Sequence, residues 1–65
     1  MYEVKILELD NKDELTGNIL FEQAVISRNK IEATEITVRL FKEKLPEVYK
    51  EYRHNYFIKT EEVEG

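Results

Sequence analysis

Residues 29–45, NKIEATEITVRLFKEKL, decide the fold, because this stretch can be interpreted either as a helix or as a strand. Within it, residues 35–40, EITVRL, alternate polar and apolar side chains, which is the pattern of a strand with one buried face. A strand here would add a fourth strand to the sheet that the flanking segments predict. The choice therefore sets the architecture of the whole chain.

Three features favour a helix from about Lys30 to Leu45. Asn29 followed three residues later by Glu32 has the form of a capping box, which begins a helix. Glu35 and Arg39 are four residues apart, in the order that stabilises a helix. Four apolar residues also fall on one stripe of a helix with a 3.6-residue period: Ala33, Ile36, Leu40 and Phe41.

The single proline, Pro46, predicts that this helix is kinked or broken. A proline disfavours helical geometry at the preceding residue, Leu45, and lacks a backbone donor. It is well tolerated in the first turn of a helix. We therefore expect a short second helical piece over residues 46–52.

Three further segments predict strands. Residues 2–9, YEVKILEL, begin with alternating apolar and polar side chains, and residues 55–63, NYFIKTEEV, alternate in the same way. Residues 19–26, ILFEQAVI, are apolar on both faces. Residues 10–18, DNKDELTGN, are rich in turn formers and predict a long hairpin loop between the first two strands.

The element order is therefore strand, strand, helix, strand, in one small α+β domain over residues 1–65. One helix would cover one face of a three-stranded antiparallel or mixed sheet. A right-handed crossover after the second strand places the third strand beside the first, antiparallel to it. We expect the strand order 2-1-3, with both outer strands as edges.

Composition excludes several classes of protein. The 65 residues contain no cysteine and one histidine, so they can form neither a disulfide nor the tetrahedral nitrogen and sulfur ligand set of a structural zinc site. No apolar run exceeds three residues, which predicts a soluble, cytoplasmic protein without a membrane span. A chain of this size buries only about 60% of the surface that its unfolded state exposes, so association with another chain would help its thin core.

Residues 44–57, KLPEVYKEYRHNYF, interleave aromatic and basic side chains, which is typical both of a single-stranded nucleic-acid surface and of a helix where it meets a sheet. We expect Tyr49, Tyr52 and Tyr56 at the rim of the core, with buried rings and solvated hydroxyls.

Four basic residues cluster on a helical wheel if the helix continues through Pro46: Arg39, Lys42, Lys50 and Arg53. Glu35 and Glu43 share that face, which favours a solvated, ion-paired surface. The net charge of −4 also disfavours nucleic-acid binding, which depends on phosphate neutralisation.

No catalytic, cofactor, metal or small-molecule motif emerges. Ser27 and His54 are the candidate nucleophile and base, but no local motif supports the pair. Gly17 and Gly65 are isolated, which excludes a phosphate loop. Residues 10–14, DNKDE, lack the central glycine and closing glutamate of a calcium loop. We expect a protein that is not an enzyme and has no cofactor.

The sheet face opposite the helix carries the most informative pattern. If Val4 and Ile6 face the helix, then Leu7, Leu9 and Phe57 face away from it, beside Lys59. The second strand adds an apolar set in either orientation, comprising Ile19, Phe21 and Val25 or else Leu20, Ala24 and Ile26. A contiguous apolar patch on a small protein usually marks an interaction surface. The alternative is that the hairpin loop or the acidic tail folds over it.

These observations predict a small protein-interaction module, such as an inhibitor, regulator or adaptor. Its partner would be another protein or a second copy, bound through the patch of Leu7, Leu9, Phe57 and Lys59 or through an edge strand. The alternative is a nucleic-acid-binding regulator that uses Arg39, Lys42, Lys50 and Arg53. The element order, with abundant Lys, Glu, Ile, Asn and Tyr, resembles in outline the small orphan proteins of bacterial phages and mobile elements.

Overall fold

The computed structural model describes residues 1–53 and 55–64. They form a three-stranded sheet with two helical pieces: β1 (Tyr2–Leu9), β2 (Leu15–Val25), α1 (Lys30–Lys44), α2 (Pro46–Tyr52) and β3 (Tyr56–Glu62). The predicted α+β class is confirmed, and residues 30–44 are helical rather than a fourth strand. Neither of the two helices that the structure describes is long and apolar enough to cross a membrane.

The N-terminus of α1 is capped by Asn29, as its spacing from Glu32 predicts. Asn29 is extended, with φ −157° and ψ 170°, and its side chain accepts a hydrogen bond of 2.8 Å from the backbone N–H of Glu32. The Glu32 carboxylate accepts from the backbone N–H of Arg28 at 3.4 Å and pairs with the Arg28 guanidinium at 3.1 Å. In a capping box the Glu32 side chain would accept from the Asn29 N–H. Here it accepts instead from the N–H of Arg28, one residue earlier.

The break at Pro46 is also confirmed. Leu45 leaves helical geometry, with φ −130° and ψ 61°, although its N–H still donates to the Phe41 carbonyl at 2.9 Å. Pro46 then begins α2, where its missing N–H leaves no helical bond unmade. The second helix ends at Tyr52, the predicted residue.

The sheet has the predicted order β2-β1-β3, and both pairs of strands are antiparallel. The second strand begins at Leu15, four residues earlier than expected, so the hairpin loop is shorter than residues 10–18. Asp10 closes this turn, because its carboxylate accepts from the backbone N–H groups of Lys12 and Glu14. Asp13 takes a positive φ of 61° inside the turn.

The core lies between β1 and α1. Val4 and Ile6 are fully buried on β1, and Ala33 and Phe41 are fully buried on α1, at two positions of the predicted stripe. The same helix face includes Thr37, which the apolar stripe omits. Thr37 is also fully buried, and its hydroxyl donates to the Ala33 carbonyl at 2.9 Å, so the polar group is satisfied inside the helix.

Phe41 organises the aromatic residues around it. Its ring stacks on Phe21 at 5.7 Å and meets Tyr49 and Tyr56 edge to face at 5.9 and 6.1 Å. Tyr49, Tyr52 and Tyr56 are each half-buried. The three tyrosines therefore lie at the rim of the core, although the Tyr52 hydroxyl bonds Glu8 and does not remain simply solvated as expected.

Candidate protein-interaction surface

One face of the sheet carries the core and the other is open. Val4 and Ile6 are buried under α1, which packs against all three strands. Side chains alternate between the two faces of a strand, so Glu3, Lys5 and Leu7 point to the opposite side. In the described part of the chain, both helices lie on the Val4 side. We call the opposite side the open face.

Three apolar side chains form a row across the open face. Leu7 on the central strand pairs directly with Ile19 of β2 and with Phe57 of β3. Ile19 is 52% exposed and Phe57 is 51% exposed, while Leu7 between them is half-buried. We call Ile19, Leu7 and Phe57 the apolar row. Directly opposed strand residues lie within contact distance, so the row is continuous.

The apolar surface extends toward the hairpin. Leu9 lies two residues after Leu7 and therefore on the same face. It pairs with Leu15, which is 57% exposed. The structure thus brings together the predicted Leu7, Leu9 and Phe57, and it adds Ile19 and Leu15. The predicted loop had included Leu15, which explains its omission.

A bulge places Ile19 on the open face. The pairing of β1 with β2 shifts between Ile6 and Leu7, so that Ile6 pairs with Phe21 but Leu7 pairs with Ile19. Leu20 is the extra residue. Phe21 therefore faces the helix while Ile19 faces away. The sequence offered two alternative groups of β2 residues for this face, and neither group lies on it as a whole. Each assumes unbroken alternation along the strand, which the bulge interrupts.

Charged side chains adjoin the apolar row. Lys5 lies between Glu22 and Lys59 across the strands. Along each strand the charges form ion pairs, Lys5 with Glu3 at 3.3 Å and Lys59 with Glu61 at 3.0 Å. The predicted Lys59 thus lies next to Phe57 on the edge strand. Its hydrogen bond and charge lower the pKa of Glu61.

Neither the hairpin loop nor the tail through Glu64 covers the apolar row. Phe57 is as exposed as Ile19, at opposite edges of the sheet. The tail instead continues beside β1, where the Val63 N–H donates to the Met1 carbonyl at 2.9 Å. The alternative of a self-covered patch is therefore not what the structure has.

The four basic residues of the nucleic-acid alternative are all exposed, three on the two helices and Arg53 directly after α2. Their predicted clustering requires one continuous helix, and the break at Leu45 removes that condition. The Lys42 ammonium lies 5.5 Å from the centre of the Tyr49 ring, a cation–π contact that also fixes it beside the core. Glu43, Glu47 and Glu51 are exposed in the same segment.

Glu8 forms a polar cluster that sequence reasoning missed. Its carboxylate accepts hydrogen bonds from the Thr16 hydroxyl at 2.6 Å and the Asn18 amide at 2.8 Å, and it also bonds the Tyr52 hydroxyl. The three bonds lower the pKa of Glu8. The bond to Glu8, together with desolvation, raises the pKa of Tyr52 to about 12. The cluster joins β1, β2 and α2. Glu8 and Thr16 lie on different strands and are brought together only by the hairpin, so no sequence motif indicates the cluster.

Ser27, which the sequence offers as a nucleophile without a supporting motif, forms a local hydrogen bond. The Ser27 hydroxyl donates to the Asn29 carbonyl at 2.9 Å, which is a local bond at the start of α1. His54 lies outside the described residues.

A groove of about 510 Å³ runs between the first half of α1 and β3. It is lined by Lys30, Ile31, Thr34 and Glu35 from the helix and by Phe57, Ile58, Lys59 and Thr60 from the strand. The hydroxyls of Thr34 and Thr60 are 2.7 Å apart at its floor. Ile31 is 73% exposed on its wall. The groove thus follows the outer edge of the sheet.

Comparison with known proteins found no matching family model, no matching curated protein and no matching solved structure. Function is therefore inferred from the geometry of the chain itself.

Proposed function

We propose that this chain is a non-enzymatic protein-interaction module that binds a partner protein through its open face. The observation that carries the proposal is the exposed apolar row of Ile19, Leu7 and Phe57, which directly adjoins a row of charges. Burying exposed apolar surface drives most protein association, at about 25 cal/mol per Å². A role as an inhibitor, regulator or adaptor suits such a surface.

The charges indicate a partner of a different sequence. Two copies stacked face to face about an axis along β1 would set Lys5 on Lys5 of the second copy. About an axis that crosses the strands at Leu7, Lys5 would lie on Leu9 and lose its solvation. Both arrangements are unfavourable for a lysine brought out of water. The partner we propose presents an apolar ridge flanked by both signs of charge, which can meet Lys5 and Glu3 separately.

Comparative capture tests this proposal. The protein is immobilised and exposed to extract of the cell that encodes it, alongside Leu7→Lys, Phe57→Lys and Ile31→Lys. Ile31 is an exposed apolar residue on α1, so it is the matched control for a change of charge. We expect one protein to be held by the parent and by Ile31→Lys but lost from both open-face variants. Titration of that purified protein should show at least about a tenfold loss of affinity.

Capture that is indifferent to Leu7→Lys and Phe57→Lys, or the absence of any captured protein, would contradict the proposal. The alternative, a nucleic-acid-binding regulator acting through Arg39, Lys42, Lys50 and Arg53, is tested in parallel. It requires steeply salt-dependent binding to a labelled single-stranded oligonucleotide at low salt. Such binding, lost in Lys50→Glu but kept in Phe57→Lys, would favour the alternative instead.

A further inference from the structure

Strand β3 is an edge strand whose outer backbone groups are aligned for pairing. The Leu9 N–H donates to the Asn55 carbonyl and the Val63 N–H donates to the Met1 carbonyl, so odd-numbered residues of this strand bond to β1. The N–H and C=O groups of Ile58, Thr60 and Glu62 therefore point away from β1. No strand lies on that side within the described sheet. The edge can accept another strand.

The sequence of β3 is complementary to itself in one antiparallel register. If two copies pair about a two-fold axis at Thr60, each Lys59 lies directly opposite Glu61 of the other copy. Phe57 lies opposite Val63, which extends the apolar row of one copy onto the next. On the helix side Thr60 meets Thr60, and Ile58 meets Glu62. Opposite charges that face each other across strands stabilise the pair.

The neighbouring two-fold registers lack this match. An axis at Lys59 would set Lys59 against itself, and an axis at Glu61 would set Glu61 against itself. Like charges directly opposite each other are destabilising. An axis at Ile58 forms no ion pair, because it sets Phe57 against Lys59. Only the register centred on Thr60 forms two symmetry-related Lys59–Glu61 pairs.

The two edges of the sheet differ in their suitability for pairing. The pairing of β2 with β1 is interrupted by two register shifts, and the second of them contains Gly17, whose φ is 93°. Such irregularities protect an edge from strand addition. The pairing of β3 is regular from Tyr56 to Glu62. The groove beside β3 also leaves space under Ile31 and Thr34 for the helix-side residues of an added strand.

We infer that two copies of this chain associate by antiparallel pairing of their β3 strands, centred on Thr60, to form a continuous six-stranded sheet. Three strands come from each copy, and the Lys59–Glu61 pairs set the register. The two open faces then lie side by side on the same surface, which makes the assembly bivalent for a partner. This inference does not depend on the proposed function, because the edge pairs through its backbone groups and the Lys59–Glu61 pairs, whereas Leu7 and Ile19 of the open face take no part in it. Phe57 belongs to both surfaces.

Complementary charge variants test the inference. Particle mass is measured by light scattering behind a sizing column over a series of concentrations. The parent should approach twice the 7.8 kDa of one chain as its concentration rises. Lys59→Glu sets two carboxylates opposite each other at both symmetric positions. It should raise the dimer dissociation constant by about tenfold or more. Glu61→Lys should do the same with two lysines.

The informative sample is the mixture of the two variants. Lys59→Glu and Glu61→Lys face each other with opposite charges at both positions, so mixing should restore the dimer that neither forms alone. Lys12→Glu, in the exposed hairpin loop, is the control for the same change of net charge and should dimerise like the parent. Circular dichroism confirms that each variant is folded.

A parent that stays at the monomer mass at every concentration would overturn the inference. So would a mixture that fails to regain the dimer, or a dimer that Lys12→Glu weakens as much as Lys59→Glu does. Leu7→Lys separates this result from the proposed function. It should leave the dimer intact while abolishing capture of the partner protein, whereas a dimer lost in Leu7→Lys would place self-association on the open face and contradict the edge.

Discussion

At the scale of single residues, stability is concentrated in a few side chains under α1. A 65-residue domain has about 3–10 kcal/mol of net stability, so one well-buried side chain is a large share of it. Ile6 is fully buried, and Phe41 contacts three other aromatic rings. The position of a residue, more than its type, decides what it contributes.

Two isoleucines make that contrast measurable. Ile6→Val removes one buried methylene and should lower the free energy of unfolding by about 0.5–1.5 kcal/mol. Ile26→Val makes the same chemical change at a side chain that is 87% exposed, and it should have no measurable effect. Urea unfolding followed by circular dichroism gives both values. Equal losses in the two variants would contradict the assignment of the core.

Glu8 should make the free energy of unfolding fall as the solution is made acidic. Its pKa is lowered in the folded state by its bonds to Thr16, Tyr52 and Asn18, so the unfolded chain binds the proton first as pH falls. The stabilisation is present above the ordinary pKa of 4.5 and is lost as pH falls through the lower folded value. Glu61, whose pKa Lys59 lowers, adds to the same loss.

High salt distinguishes the contribution of Glu8 to stability from that of Glu61. The Glu61 contribution comes from an exposed ion pair and should shrink in high salt, whereas Glu8 accepts from uncharged groups and should keep its effect. Glu8→Gln should therefore flatten the fall in urea midpoint between about pH 5 and pH 3 at high salt. An identical fall in the parent and in Glu8→Gln would show that the cluster contributes nothing. At alkaline pH the Tyr52 contribution should be lost as pH rises through about 12.

At the scale of elements, α1 shows what a single sequence can predict. The cap at Asn29 and the break before Pro46 depend on local chemistry, which is readable from a few adjacent residues. The alternation of EITVRL favours a strand, but tertiary packing selects the helix by burying Thr37 together with Ala33 and Phe41. Thr37 is tolerated there because its hydroxyl bonds within the helix.

Pairing between strands was harder to predict, because it depends on residues that are far apart in the sequence. The hydrophobic pattern of Tyr2–Leu9 and the strand order follow from periodicity and handedness. The bulge at Leu20 does not, since it is visible only in the pairing of β2 with β1. Periodicity alone therefore assigns Leu7, Leu9 and Phe57 to one face, while the place of Ile19 beside Leu7 required the register.

The cap of α1 gives a prediction at this scale. Asn29→Ala removes the acceptor for the Glu32 N–H and should lower the free energy of unfolding by about 1 kcal/mol. Asn29→Asp should retain most of the stability, because a carboxylate also accepts this bond. Asn11→Ala, in the exposed hairpin turn, is the control. Thermal unfolding of all four proteins measures the effect, and an Asn29→Ala variant as stable as Asn11→Ala would contradict the role of the cap.

At the scale of the whole molecule, the two faces of one thin sheet have different roles. One face is covered by α1 and supplies the stability, and the other leaves the apolar row in solvent at a cost that a bound partner would remove. The outer edge of β3 is a third surface, which adjoins the open face at Phe57. A small chain can thus combine folding, partner binding and self-association, with Phe57 as the residue that the last two share.

The open face is the central claim, and solvent accessibility measured by nuclear magnetic resonance tests it most directly. A neutral gadolinium chelate added to the isolated protein speeds the relaxation of side-chain protons that it can approach. Ile19 and Phe57, which are each about half exposed, should respond far more strongly than the buried Val4 and Ile6, with the exposed Ile26 as the upper reference. If Ile19 and Phe57 were instead as protected as Val4 and Ile6, the face would already be covered, and the proposed interaction surface would be wrong.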